Sequence, residues 1–224
     1  MSKLKGEKLT KIYSTVEALK EVDVEIADKD IAVVVGPSGS GKTTLLNLLA
    51  ILDHPTCGRV FLNEAEITNL REKEAAQIRN RSFGFVFQFF YLLPECTVQE
   101  NIFLPLWIRE RAFTKLGEYR RQADALLKEF HLEKRKEAYP SQLSGGELQR
   151  VAICRSLICQ PQVIFADEPT GSIDKESVQI VFEMIEQLNR TRGVTFVIAT
   201  HNEKFLHLAT KVICLREGRI EITK

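Results

Sequence analysis

No stretch of this 224-residue chain is both long and apolar enough to cross a bilayer. The nearest, Ile102 to Ile108, is short and broken by Pro105, so a membrane role has to be lent by a partner. An excess of one charge is missing as well. Lys and Arg number 31 against 30 Asp and Glu, and with a formal net charge of +1 nucleic-acid binding driven by a basic surface is not expected. The five cysteines (Cys57, Cys96, Cys154, Cys159, Cys214) are odd in number and never spaced C-x-x-C. They read as small core residues of a reducing compartment, not as a disulfide framework or a zinc site. The opening residues, MSKLKGEKL, have no apolar core of a signal peptide, and no repeats or low-complexity tracts occur. What is present is a globular composition, 44% hydrophobic and 27% charged, in a length suited to one large domain or a domain with a subdomain.

One stretch organises the rest. Ile31 to Leu49 reads IAVVVGPSGSGKTTLLNLL, an apolar run suited to a buried strand, then a glycine-rich loop, then an apolar helical run. Gly36-Pro37-Ser38-Gly39-Ser40-Gly41-Lys42-Thr43-Thr44 is G-x-x-x-x-G-K-[ST] with a strand before it and a helix after it. Glycines let the backbone curl its N–H groups inward, making an anion nest at a helix N-terminus. Lys42 can then reach the outer phosphates, and the Thr43 hydroxyl can ligate Mg²⁺. A Gly/Ser turn that merely carries a lysine would not need the full octet in this context. The chain is expected to bind a nucleoside triphosphate.

Around that loop, residues 4–27 read as two antiparallel strands turning near Ser14–Thr15, with Tyr13 at the end of the first. Tyr13 can stack on a purine base or simply sit on a surface strand. Gly58 to Leu62 reads as a strand, Arg71 to Arg81 as an exposed helix, and Phe83 to Phe87 as a strand ending at Gln88. From Phe89 to about Gln142 the pattern turns helical, and Leu116, Tyr119, Ala123, Leu126, Leu127 and Phe130 fall on one face. Its entrance, Phe89 to Glu95 (FFYLLPE), is either buried core or a docking surface.

A second nest follows. Ser144-Gly145-Gly146-Glu147 precedes a helix expected over Val151 to Ile158, and Ser144 with Glu147 also forms a capping box. Capping alone does not call for two glycines, and one phosphate loop needs no second nest for the same nucleotide. Val163 to Phe165 reads as a buried strand delivering Asp167 and Glu168 at its carboxyl end, where ligands of parallel sheets bind. Asp167 suits Mg²⁺ coordination, and Glu168 suits orienting or deprotonating a water. Asp174 is expected to cap a helix closed by Gly193, and Val194 to Ala199 to form a strand ending at Thr200-His201, where His201 can face a phosphate. Residues 211–222 read as two short strands.

Together these motifs resemble the ATP-binding subunit of an ABC transporter over essentially the whole chain. The resemblance implies an α/β fold of the P-loop NTPase class: a RecA-like sheet core, an N-terminal antiparallel β-subdomain and an inserted helical subdomain at about 89–158, all within one nucleotide-binding domain, 1–224. It implies ATP hydrolysis with Mg²⁺. Glu168 would be the catalytic glutamate, His201 the switch histidine and Gln88 the Q-loop glutamine, with Thr43, Gln88 and Asp167 around the metal. Tyr13 would stack on adenine. Ser144 to Glu147 would be the signature, with Asp174 in the D-loop. In this family the signature closes over ATP held by a second subunit, so the resemblance implies a homodimer acting on integral-membrane permease subunits, peripheral to the cytoplasmic face of the inner membrane. Gln88 to Leu106 and Ala166 to Asp174 are similar to the branch holding the lipoprotein-releasing, macrolide-exporter and cell-division ATPases, leaning toward lipoprotein release. Asp30, Glu64, Ser172 and Ile173 depart from the usual pattern, with Asn63 expected to take the positive φ of a turn where glycine is common.

Overall fold

The computed structural model describes residues 2–110 and 113–223. In chain order these form β1 (Ser2–Tyr13), β2 (Val16–Ala27), β3 (Ile31–Val35), α1 (Lys42–Leu49), β4 (Cys57–Leu62) and β5 (Ala65–Glu66). Then come α2 (Glu72–Ser82), β6 (Phe83–Phe87), α3 (Val98–Glu110), α4 (Leu116–Glu129) and α5 (Gly145–Leu157). The chain closes with β7 (Val163–Asp167), α6 (Lys175–Arg192), β8 (Thr195–Ala199), β9 (Lys211–Arg216) and β10 (Arg219–Thr223). A small antiparallel sheet has the order β2-β1-β4-β5, and a larger one the order β10-β9-β3-β8-β7-β6. The larger sheet is parallel from β9 to β6, with β10 as its antiparallel edge.

Side chains of a strand alternate between faces, and the larger sheet divides its apolar residues accordingly. Ala32, Val34, Val163, Phe165, Val197 and Ala199 face α1 and the small sheet, where Leu45, Leu46, Leu48 and Leu49 are buried against Leu4, Leu9, Leu19 and Val60. Ile31, Val33, Ile164, Ala166, Phe196 and Ile198 face the other way, into a core shared with α3, α4, α5 and α6. Strands covered on both sides are why β3, β7 and β8 read as unbroken apolar runs. The helix bearing the phosphate loop is thus pressed between two sheets.

Three details differ from the sequence expectation; the helical pattern itself runs through Pro105 in α3, with Ile102, Phe103 and Leu106 buried. Core burial there offsets a proline cost of about 3 kcal/mol. The helix expected from Val151 begins six residues earlier, at Gly145, because the Ser144–Glu147 capping box starts it there. Cys154 and Cys159 are buried as expected, but Cys57 is exposed and Cys96 and Cys214 half-buried. In β4 it is Val60 and Leu62 that face the core, which puts Cys57 on the outer face with Arg59. Finally, Glu64 shares the left-handed conformation with Asn63, at φ 68° and 48°.

Candidate functional site

Four neighbouring strands of the larger sheet end at one rim, and each delivers a residue singled out by the sequence. β3 runs into Gly36, β6 into Gln88, β7 into Asp167 and Glu168, and β8 into Thr200 and His201.

The loop after β3 is gripped by distant parts of the chain. Gly41 precedes α1 at φ 103°, and a side chain there would come within 2.6 Å of the Ala18 carbonyl oxygen. At Gly36 a Cβ would meet the Leu215 carbonyl oxygen at 2.1 Å. Only glycine fits either place. Ser40 accepts a backbone hydrogen bond from Gly218, the turn between β9 and β10, at 3.1 Å. The first turn of α1 holds no acidic side chain, so its unpaired N–H groups and positive dipole end are uncompensated. Lys42 folds across the loop, donating from Nζ to the Gly36 and Pro37 carbonyl oxygens at 2.9 and 3.0 Å. A pocket of about 170 Å³ lies here, lined by Ala18, Gly39, Gly41, Lys42, Thr43 and Thr44. Backbone donors, a dipole end and a lysine in one concavity make a site for an anion of phosphate type.

Thr43 and Asp167 meet although 124 residues separate them: Thr43 Oγ1 lies 3.2 and 3.1 Å from the two Asp167 carboxylate oxygens. Burial pushes the Asp167 carboxyl above its ordinary 3.8, and the charge of Glu168 adds to this, against the Thr43 hydroxyl and Lys42. A hydroxyl beside a half-buried carboxylate is a hard oxygen pair suited to Mg²⁺, which is typically held by one or two carboxylates plus substrate phosphates. Among the described residues no cluster of three or more His, Cys, Asp or Glu side chains offers a metal cage without them.

Glu168 has the left-handed φ of 46°, and its N–H donates to the Ala199 carbonyl at 2.8 Å. Its carboxylate accepts from the Thr200 hydroxyl at 2.9 Å and from the His201 N–H at 3.1 Å. His201 Nδ1 stands 2.8 Å from the same carboxylate; a carboxylate only accepts, so Nδ1 carries the proton and a neutral ring leaves Nε2 as an acceptor. The His201 side chain is 75% exposed against 18% for Glu168, so the ring is free to turn outward. Thr200 is a site residue that the sequence reading passed over; its place one residue before His201 at a strand end was the available signal. Gln88 lies against the turn behind Glu168, where a Cβ on Gly171 would come within 2.9 Å of the Gln88 amide nitrogen.

Tyr13 is brought toward the loop. Its hydroxyl donates to Asp53 at 2.7 Å with Thr44 beside it, and Lys11 Nζ lies 4.8 Å from the ring centre. Burial and the Asp53 charge raise the phenol above its ordinary 10, so it stays neutral and the half-exposed ring offers a flat face. Asp53 and Lys11, which fix the ring, gave no signal in the sequence.

The second nest stands apart. Ser144 N–H donates to Glu147 at 2.9 Å, Glu147 N–H returns to Ser144 Oγ at 3.3 Å, and Glu147 pairs with Arg135 at 2.7 Å. No hydrogen bond among the described residues joins it to the Gly36–Thr44 loop. Asp174 caps α6, accepting from the N–H groups of Glu176 and Ser177 at 3.1 and 3.0 Å. Gly146 has a packing reason that the sequence did not show: a Cβ there would stand 2.0 Å from Ser177 Oγ at the start of α6.

The sequence profile of the ABC transporter family matches residues 19–171. This chain belongs to the ABC transporter family. ABC transporter ATP-binding protein YtrE of Bacillus subtilis (strain 168) is 45% identical over 203 residues, covering 91% of this chain and 87% of that protein. Lipoprotein-releasing system ATP-binding protein LolD of Cytophaga hutchinsonii is 42% identical over 217 residues, covering 97% of this chain and 98% of its own length. The dimeric structure of MJ0796, a bacterial ABC transporter cassette, matches with a TM-score of 0.91 at 37% identity, covering 99% of this chain and 97% of that one. MJ0796 in a post-hydrolysis state bound to ADP and Pi matches with the same TM-score at 36% identity and the same coverage. The ABC family places this chain as the ATP-binding, ATP-hydrolysing subunit of a transporter, on a parallel sheet core with an antiparallel β-subdomain.

Proposed function

We propose that this ABC ATPase powers the release of lipoproteins from a bacterial inner membrane. It would work as a homodimer on permease subunits at the cytoplasmic face, with residues 1–224 as one nucleotide-binding domain and 89–158 as its helical subdomain. The observation that carries the cargo reading is the LolD relative, similar at 42% identity over nearly the full length of both chains. YtrE, 45% identical, is named for no lipoprotein and leaves room for a second reading, the ATPase subunit of a macrolide or peptide exporter or of a cell-division (cell-wall remodelling) ABC complex.

In the site, the N–H groups at the start of α1 and Lys42 hold the phosphates of ATP, with Tyr13 under the base. Thr43, Asp167 and Gln88 hold Mg²⁺, which supplies charge neutralisation at the outer phosphates. Glu168 orients the attacking water and takes its proton, while His201, turning from Glu168, donates a ring N–H to the γ-phosphate. Ser144 to Glu147, untied to the loop of their own chain, serve the nucleotide of the other subunit, as the dimeric MJ0796 cassettes suggest by likeness.

A docking face for the permease lies beside Gln88. Phe89 and Tyr91 are 67% and 63% exposed, and Tyr91 borders a cavity of about 430 Å³ floored by Phe85, Phe87, Leu104, Pro105 and Ile108. Phe90, also part of that cluster, is only half-buried. Aromatic anchors around an apolar cavity are what a hot spot requires. A chain carrying Phe89→Asp and Tyr91→Asp should fold and bind ATP as the wild type does, yet capture no permease from detergent-solubilised membranes. The permeases captured by the wild type, reconstituted in liposomes with an acylated lipoprotein, should release it on adding ATP. Release of a different solute, with the lipoprotein retained, would replace the cargo reading by the second.

A further inference from the structure

α5 joins two functional regions. Its first residue follows Ser144, and close to its other end Arg155 reaches the segment after Gln88. Arg155 donates to the Phe90 carbonyl at 2.6 Å and to the Tyr91 carbonyl at 2.5 Å. Both residues it grips are non-glycine residues in the left-handed region, at φ 61° and 47°. Backbone of that kind persists only where its surroundings over-determine it. Here Tyr91 N–H bonds the Phe89 carbonyl, the Phe87 and Tyr91 rings meet edge-on at 5.2 Å, and buried Asn101 ties Leu93 through both its N–H and its carbonyl. Burial lowers the Arg155 guanidinium to about 10, so it is charged at neutral pH, and no carboxylate among the described residues bonds it. Among the described residues its hydrogen bonds are to backbone alone. An arginine fork spanning two successive carbonyls fixes the direction of the chain between them, which a lysine does less well.

We propose that Arg155 is a positioning residue: by holding the Phe90–Tyr91 turn it sets where the Gln88 amide stands against Gly171, and it transmits the position of α5 to that glutamine. The inference rests on the reading of Gln88 as a site residue and deepens it. When α5 shifts because its Ser144 end engages a nucleotide, the turn shifts with Arg155, and Gln88 moves toward or away from Asp167. The same bonds run in reverse when a partner pushes on Phe89 and Tyr91.

The test uses the full chain with Arg155→Gln, Arg155→Lys, Gln88→Ala and the double variant Arg155→Gln/Gln88→Ala. In hydrogen exchange, Arg155→Gln should open the amides of residues 88–93 by about tenfold or more while the amides of β7 and α5 keep wild-type protection. In steady-state ATPase assays kcat should fall on the order of tenfold with the ATP KM within about twofold, since the loss is one of placement. Arg155→Lys should recover part of it. In the Gln88→Ala background Arg155→Gln should cost nothing further, because the two act through one group. Unchanged exchange at 88–93, general loss of protection in both arginine variants, or losses that multiply in the double variant overturn the proposal. Where Gln88→Ala is too slow to time, exchange at 88–93 decides alone. A Gln88→Ala chain with wild-type turnover would instead remove Gln88 from the site, and Arg155 with it as a positioning residue.

Discussion

Glu168 is held in a backbone conformation that costs a non-glycine residue about 1 kcal/mol or more. Its surroundings supply the reason it stays: the Ala199 carbonyl on its N–H, and Thr200 and His201 on its carboxylate. Asp167 beside it is governed by burial first and by its neighbour's charge next, so the adjacent acids sit in different surroundings. Away from the site, Glu110 shows how a carboxylate's partners enter stability. Lys115, Tyr119 and Arg109 hydrogen-bond it, with Lys115 the largest influence, and hold its carboxyl down from 4.5 to about 2. A folded-state value below the unfolded one stabilises the fold above the unfolded value and is lost as pH falls through the folded one. Thermal melts of wild type and Glu110→Gln should therefore differ at pH 7 and converge between pH 4.5 and about 2. A gap that stays constant over that range would show that the carboxylate's charge plays no part.

At the scale of elements, α5 and α6 approach so closely that Gly146 cannot carry a methyl group without moving Ser177. Gly146→Ala should destabilise the chain by about 1–3 kcal/mol, as overpacking does. Adding Ser177→Gly should restore part of the lost melting temperature, and no recovery would place the strain elsewhere. Sequence alone points to the glycine pair as unneeded for capping but reads only a nest there; the contact with α6 joins Gly146 to Ser177, far along the chain, and leaves no local mark. Strands were plainer. β3, β7 and β8 declare themselves as apolar runs because both their faces are covered, and the carboxyl-end rule points to Asp167, Glu168 and His201 at one rim, where Gln88 ends the edge strand β6. The early start of α5 departs from the apolar periodicity because a capping box outweighs local propensity.

On the scale of the whole molecule, the phosphate loop is a shared product of three regions. Ala18 from β2, Leu215 from β9 and Gly218 from the last turn press on Gly36, Ser40 and Gly41 and hold the octet in its curl. That preorganisation is invisible in the motif, as are Asp53 and Lys11 under Tyr13, whereas the loop, its lysine and its threonine were legible from spacing alone. We propose that Glu168 acts on water while Lys42, Thr43 and Asp167 hold the nucleotide, in a site completed by a second copy of the chain. Glu168→Gln tests it most directly, by equilibrium ATP binding, phosphate release and light scattering on one preparation. The variant should keep wild-type ATP affinity, release phosphate slower by about 10² or more, and shift from monomer to dimer on adding Mg-ATP. Phosphate release at the wild-type rate would contradict it.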